Sequence, residues 1–153
     1  MSSKKKELKS KSFNIEKHYK PNDYSSDNKC VIWRFDMLDK NGSYAFNLQS
    51  DNFNHKDFLD KMIIYSNMTW SEIKNQTHDK GKSKYHFLSL ENVSQSALER
   101  IKYFEYDKLY PNSIFSFAFN NTLRIIGIRI NEDFHVVWYD KSHTFCPSKL
   151  KHT

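Results

Sequence analysis

The chain has few of the residues that build common nucleotide-binding and hydrolase motifs. Glycine occurs only three times in 153 residues, at Gly42, Gly81 and Gly127. Isolated glycines cannot form the glycine-rich loops that hold phosphates, and no Gly-x-Ser-x-Gly turn presents a nucleophilic serine. These absences argue against an NTPase, a dehydrogenase and a serine hydrolase, and the sequence predicts no cofactor.

Cysteine is also scarce, and no apolar segment reaches membrane-spanning length. The two cysteines, Cys30 and Cys146, do not make a disulfide framework, and a cytoplasmic location would keep both reduced. A helix needs roughly 20 apolar residues to cross a bilayer, and the lysine-rich start lacks the apolar segment of a signal peptide. We therefore expect a cytoplasmic protein with no membrane partner.

The net charge of +6 comes from the two ends of the chain. Residues 1–29 carry eight lysines and four acidic residues, and residues 141–153 carry three lysines and no acid. The segment 30–140 has thirteen basic and fourteen acidic residues, so its own charge is −1. The pattern predicts a flexible basic N-terminal arm over 1–29, a single domain over 30–140 and an irregular basic tail over 141–153.

Alternating apolar residues predict strands at both ends of the domain. A strand over 30–38 and a second over 43–49 are joined by a turn that ends at Gly42, which predicts an N-terminal hairpin. Three more strands form a predicted C-terminal meander: 114–119, with Phe115, Phe117 and Phe119 on one face; 122–130; and 134–139, with Phe134, Val136 and Trp138 on one face.

Three capping signals predict the starts of helices. Asn54, Thr69 and Ser94 each precede apolar residues at helical spacing. The first of these helices is expected to bury a stripe of Phe58, Leu59, Met62, Ile63 and Tyr65. The expected fold class is therefore α+β, with an antiparallel sheet, made of the N-terminal hairpin and the three-stranded meander, packed against two to three helices.

The densest group of reactive side chains follows the last predicted strand. His143 can exchange a proton near neutral pH, Tyr139 can donate one, and Lys141 can stabilise a developing anion. Arg124 and Arg129, on the neighbouring strand, are able to hold a phosphate through paired hydrogen bonds. These five residues are the candidate catalytic site, and the structural alternative is an exposed loop with solvated charges beside an ordinary strand arginine.

Metal binding is a second interpretation of the same region. The residues with suitable side chains are His135, His143, Cys146 and His152. Their spacing matches no Cys-x₂-Cys or His-x₃-His pattern of zinc sites. The sequence therefore predicts no metal site.

The C-terminal half resembles the RelE/ParE-like toxin superfamily. The similarity runs from the helix at 97–104 through 123–129 to the strand at 134–139, which is less than half of the chain. That superfamily has helices followed by a three- or four-stranded antiparallel meander, and its ribosome-dependent members cut mRNA without a metal. The resemblance implies that residues of matching type carry the chemistry here: Arg124 or Arg129, Lys141, Tyr139 and His143.

Two features depart from that superfamily. The compact toxins usually lack an N-terminal hairpin, and those that bind ribosomes are strongly basic, whereas the segment 30–140 is slightly acidic. The sequence of residues 138–143, Trp-Tyr-Asp-Lys-Ser-His, also resembles the ends of short uncharacterised proteins from mobile elements.

Three functional hypotheses follow. The first is a toxin-like endoribonuclease that cleaves RNA by metal-independent acid–base chemistry, with RNA or the ribosome as substrate and a cognate antitoxin as partner. The second is a non-enzymatic phage or plasmid protein that binds and inhibits a host defence nuclease, as anti-CRISPR proteins do. Its support is the aromatic content and a possible acidic interface formed by Glu105, Asp107, Glu132 and Asp133. The third is a nucleic-acid-binding module that uses the basic ends.

Overall fold

Helices cover both faces of a five-stranded mixed sheet in the computed structural model, which describes residues 24–76 and 86–147. The strands, in the sheet order β1-β5-β4-β3-β2, are β1 Ile32–Arg34, β2 His86–Phe87, β3 Ile114–Ala118, β4 Arg124–Ile130 and β5 Asp133–Asp140. The helices are α1 His55–Ser66, α2 Trp70–Lys74, α3 Gln95–Tyr103 and α4 Tyr106–Leu109. The α+β class and the antiparallel meander β3-β4-β5 are confirmed.

The predicted N-terminal hairpin does not form. β1 contains three residues and pairs in parallel with β5, with Trp33 opposite Phe134. Residues 43–49 do not form a strand. The chain on both sides of the turn is hydrogen-bonded to β5 instead: the backbone N–H of Asp39 donates to Val137 at 2.9 Å, and the N–H of Tyr139 donates to Tyr44 at 3.0 Å. Alternation indicates an extended chain with one buried face, but it does not identify the hydrogen-bonding partner, which here is β5.

One face of the sheet is covered by α1 and α2 over a core rich in aromatic rings. Trp33 illustrates the packing, because its ring centroid lies 5.1 Å from that of Phe117 and 5.5 Å from that of Phe134. The predicted shared face of the β3 region is confirmed by its three phenylalanines, all fully buried in this core: Phe115, Phe117 and Phe119. Large aromatic rings bury much apolar surface each, so this layer dominates the interior.

The opposite face is covered by α3 and α4. Ala97 and Ile101 of α3 are fully buried against Ile126 and Ile128 of β4. Phe145, which follows β5, is also fully buried in this second core. The domain therefore has three layers, with the sheet in the middle.

A β-bulge in β5 changes which side chains face each core. The pairing passes from Ile126 opposite Trp138 to Gly127 opposite Val136, so Val137 is an extra residue. Trp138 consequently lies in the α3 core, whereas Val136 lies in the α1 core. The predicted common face of Phe134, Val136 and Trp138 is therefore wrong, because a bulge shifts the alternation by one residue.

The capping predictions are confirmed, but the predicted buried stripe of α1 is only partly correct. The side chains of Asn54, Thr69 and Ser94 accept hydrogen bonds from the N–H groups three residues later. In α1, Phe58, Met62 and Tyr65 pack into the core. The other two members of the stripe, Leu59 and Ile63, are 57% and 55% exposed. A single sheet covers only one side of the helix, so an apolar stripe this wide cannot be wholly buried.

The folded domain extends beyond the predicted limits of 30–140. Asp27 forms an ion pair with Lys74 at 2.9 Å, which joins the residues before β1 to α2. At the other end, Phe145 is part of the second core. The remainder of the predicted arm, residues 1–23, and of the predicted tail, residues 148–153, lies outside the described residues.

No helix among residues 24–76 and 86–147 is long and apolar enough to cross a bilayer.

Candidate functional site

The loop after β5 is organised by the buried carboxylate of Asp140. Its oxygens accept hydrogen bonds from the backbone N–H of Thr144 at 3.1 Å and of Phe145 at 2.9 Å. The carbonyl of Phe145 accepts a hydrogen bond from the N–H of Ser94 at 2.8 Å, which ties the loop to the start of α3. The loop that carries Lys141 and His143 is therefore anchored at both ends.

Tyr139 and Lys141 line a polar cleft of about 340 Å³ between this loop and the segment before α1. The hydroxyl of Tyr139 accepts a hydrogen bond from the N–H of Asn54 at 2.8 Å and donates to the carbonyl of Asn52 at 3.3 Å. Lys141 Nζ donates to Asn52 Oδ1 at 3.0 Å. The Tyr139 ring also stacks on Phe53, with 4.4 Å between centroids. Both candidate catalytic groups hold the start of α1 in place.

Burial makes Tyr139 a weaker acid than an exposed tyrosine. It raises the pKa of the phenol, and the hydrogen bond from Asn54 only partly offsets that effect. A general acid works best when its pKa lies near the operating pH. In this structure Tyr139 is better suited to holding the chain than to donating a proton.

Arg124 and His143 line a separate depression of about 20 Å³. The guanidinium of Arg124 donates to the carbonyl of Asn120 at 2.9 Å and to that of Leu123 at 3.1 Å, so it stabilises the β3–β4 turn. His143 has a left-handed backbone, with φ of 57°. This volume accommodates about one water molecule, not a nucleotide.

Cys146 lies in the same depression and is not an activated thiol. Burial raises the pKa of Cys146, and the nearby Asp140 raises it further. The thiolate is the nucleophilic form of cysteine, and catalytic cysteines have lowered pKa values. The combination of Asp140, His143 and Cys146 therefore does not have the electrostatics of a cysteine nucleophile.

Arg129 lies outside this region. It is five residues from Arg124 on β4, a separation of about 16 Å along an extended strand. Its buried guanidinium forms an ion pair with Asp27 at 2.5 Å, donates to the carbonyl of Asn131 at 2.8 Å and lies 4.1 Å from the ring centroid of Trp70. The structure does not bring Arg129 together with the other four candidate residues.

The metal interpretation gains no support from the geometry. Within the described ranges, no group of three or more histidine, cysteine, aspartate or glutamate side chains is placed to hold a metal ion. His135 contacts Asp36, with 2.7 Å between Nδ1 and Oδ1. Burial alone would raise the pKa of Asp36, but the interactions with His135, with its own backbone and with Arg34 together outweigh it, and the pKa is lowered. His152 lies outside the described residues.

The acidic interface suggested by the sequence is divided between two parts of the fold. Glu105 and Asp107 lie at the start of α4. Glu132 and Asp133 lie at the β4–β5 turn, where Asp133 pairs with Arg34 at 2.6 Å. The four carboxylates therefore do not form one acidic surface.

An exposed apolar surface beside α1 was not predicted from the sequence. We define the α1 surface as the side chains of Leu59, Ile63 and Phe35, which are 57%, 55% and 43% exposed. Leu59 and Ile63 are four residues apart and so lie on the same side of the helix. The adjacent isoleucines Ile63 and Ile64 were the available signal, because neighbouring helical positions point about 100° apart and cannot both face one core.

No protein-family profile, curated protein or solved structure matches the chain.

Proposed function

We propose that the protein is a non-enzymatic binding protein that docks on another protein through the α1 surface. The observation that carries this proposal is the exposure of Leu59 and Ile63, both more than half exposed on one side of a single helix. Large contiguous apolar patches are uncommon on monomeric proteins and often indicate an interaction site.

The surroundings of the α1 surface support an interface. Phe35 packs on Phe58, the residue before Leu59, with 6.5 Å between ring centroids. The same helix also carries charged side chains, since Lys56 and Asp60 form an exposed ion pair at 2.9 Å. An apolar centre with a polar rim is the usual composition of a protein–protein interface.

The state of the reactive side chains also favours binding over catalysis. Tyr139 and Lys141 hold the segment before α1, Arg124 holds a turn, and Arg129 is buried in an ion pair. Acid–base cleavage of RNA needs a base, an acid and an anion-stabilising group around one substrate position. Here Tyr139 and Lys141 line one cleft, Arg124 lies at the β3–β4 turn, and Arg129 is buried elsewhere, so these residues do not surround one substrate position.

The test compares a double variant, Leu59→Ser with Ile63→Ser, with the wild type. The tagged full-length chain is used to isolate a partner from cells that naturally contain it, and the purified pair is titrated by calorimetry. We expect the double variant to bind about thirtyfold more weakly, as loss of central apolar contacts does. Both side chains are exposed, so thermal unfolding should change little.

Ile32→Ser is the matched control. Ile32 is 45% exposed and lies on β1, where its side chain points to the opposite face of the sheet from Trp33. This variant should bind like the wild type. Equal binding by the double variant and the wild type would overturn the proposal. Light scattering of the free chain distinguishes a second copy as the occupant, because self-association would then be lost in the double variant.

The specific form of this proposal is inhibition of a host defence nuclease by a phage or plasmid protein. The assay is plating of a phage that the nuclease restricts, in cells that express the chain. We expect wild type and Ile32→Ser to restore plating and the double variant to fail. Restored plating by the double variant would contradict inhibition through the α1 surface.

A toxin-like endoribonuclease is the second proposed function. One observation favours it: Arg124 and His143 line the same depression, beside the loop that exposes Lys141. The test is bacterial growth after tightly controlled induction, with His143→Ala beside the wild type. Arrest by the wild type alone would favour cleavage of RNA, with mapping of cut sites as the next measurement. Growth of both strains would contradict it.

A further inference from the structure

A second cleft lies on the other side of the sheet from α1. It has a volume of about 410 Å³ and is bounded by the end of β2, the short turn of helix at Leu90–Asn92, and α4. Sites for small ligands and side chains commonly measure about 300–1,000 Å³. The cleft is lined by none of the candidate catalytic residues and by no residue of the α1 surface.

Aromatic rings form much of its wall. Tyr106 and Tyr110 line the cleft, with 5.7 Å between ring centroids. Tyr106 is held in place by Phe104, which stacks on it at 5.0 Å with the rings nearly parallel. Burial raises the pKa of Tyr106 to about 12 and also raises that of Tyr110, so both rings remain neutral phenols at physiological pH.

The charge of the cleft has one sign. Glu91 and Asp107 are among the lining residues, and none of the described lining residues is lysine, arginine or histidine. This local composition contrasts with the +6 net charge of the chain. Two carboxylates beside neutral aromatic rings complement a cation.

We propose that this cleft binds the guanidinium of an arginine side chain presented by a partner protein. A guanidinium is planar, so it stacks on a tyrosine face while its N–H groups donate to carboxylates. An ammonium group can pair with the same carboxylates but lacks the flat surface that stacks on the rings. This cleft is separate from the α1 surface, and binding in it requires no contact with that helix.

The test titrates the isotopically labelled full-length chain with a blocked Gly-Arg-Gly peptide and follows backbone amide signals by NMR. The comparison peptides replace arginine with lysine or with citrulline, which is similar in shape but uncharged. We expect saturable shifts confined to residues 87–91 and 106–114, weaker binding of the lysine peptide and no binding of the citrulline peptide.

Two variants test the carboxylates separately, so that a folding defect in one does not decide the result. Asp107→Asn and Glu91→Gln should each weaken binding of the arginine peptide about tenfold, because each removes a charged acceptor. Glu99→Gln, an exposed carboxylate on α3 outside the cleft, is the matched control and should bind normally. Equal binding of the citrulline or lysine peptide, or unchanged affinity in both cleft variants, would overturn the proposal.

This experiment does not depend on the outcome for α1. The probe is a short peptide with no apolar side chain, so it tests the cleft without a partner for Leu59 and Ile63. If the double variant of α1 loses its partner but still binds the arginine peptide, both proposals hold. If the peptide fails to bind the wild type, only the cleft proposal falls.

Discussion

Arg129 shows how a side chain with the right chemistry for phosphate binding serves the structure instead. Its side chain is 1% exposed, and the guanidinium connects the residues before β1 to β4 and α2 through Asp27, Asn131 and Trp70. Asp27 also receives a hydrogen bond from Lys74, so one carboxylate holds two cations. Breaking such a buried pair leaves an uncompensated charge, which is costly.

Asp27→Asn should therefore lower the free energy of unfolding by about 3 kcal/mol, since the buried guanidinium loses its counter-charge. Adding Arg129→Met should recover part of that loss, because the uncompensated charge is removed. Urea denaturation measures both effects. Asp60→Asn, which breaks the exposed ion pair with Lys56, is the control and should have little effect. A double variant less stable than Asp27→Asn would contradict this account.

Gly127 occupies a position where no side chain fits. A Cβ atom there would lie 2.0 Å from the carbonyl oxygen of His135, beside the bulge in β5. We expect Gly127→Ala to lower the free energy of unfolding by about 3 kcal/mol or more, because backbone must move in the centre of the sheet. Urea denaturation is the measurement, with Asn121→Ala in the exposed β3–β4 turn as control. A loss below about 1 kcal/mol would show that the bulge relaxes easily.

At the scale of elements, α2 depends on its cap and on two buried side chains. The helix has five residues, too few to be stable alone, and its Trp70 and Ile73 are fully buried. Thr69 Oγ1 accepts a hydrogen bond from the N–H of Glu72 at 3.1 Å and donates to the Glu72 carboxylate at 3.2 Å. The cap therefore directs the chain so that Trp70 enters the core.

Thr69→Ala should destabilise the protein by about 1 kcal/mol, the usual effect of losing a helix N-cap. Thermal unfolding followed by circular dichroism measures the loss. Thr122→Ala, the same substitution in the exposed β3–β4 turn, is the control and should change the melting temperature little. If both variants melt alike, the cap at Thr69 contributes nothing to stability.

At the scale of the whole molecule, Asp39 joins the segment after β1 to both α3 and β5. Its buried carboxylate accepts hydrogen bonds from Arg100 at 2.8 and 2.9 Å and from Trp138 Nε1 at 2.9 Å. Burial alone would raise the pKa of Asp39, but these hydrogen bonds, the one from the N–H of Asn41 and the charge of Arg100 together outweigh it, so the pKa is lowered. The pKa values of Asp27 and Asp36 are likewise lowered, because the interactions of Asp27 with Lys74 and Arg129, and those of Asp36 chiefly with His135, together outweigh burial.

These three carboxylates predict acid sensitivity. A group whose pKa is lower in the folded state stabilises the fold above its unfolded pKa, about 4, and loses that contribution as the pH falls further. The free energy of unfolding should therefore decrease as the pH drops below about 4. Asp39→Asn should be about 2 kcal/mol less stable at neutral pH and should depend less on pH in the acid range. Urea denaturation across pH 3–7 measures both, and an equally steep acid loss in the variant would contradict the role of Asp39.

The candidate site was much less predictable than the fold class. The loop after β5 was found from its residue types alone, and the structure does place Tyr139 and Lys141 on a cleft there. Two side chains can share one cavity only if they point to the same face of the sheet. The bulge at Val137 lies just before these residues and changes which face each side chain points to. The cleft at α4 brings Glu91 together with Tyr106 and Tyr110, although all of α3 lies between them in the chain.

The amino-acid sequence by itself determined the α+β class, the three helix caps and the C-terminal meander, because each depends on residues close together in the chain. Only the tertiary structure decided that β1 pairs in parallel with β5 and that Leu59 and Ile63 remain exposed. It also separated Arg129 from Arg124 and His143. These outcomes depend on how distant segments share one core, and local periodicity carries no information about which partner a buried face will meet.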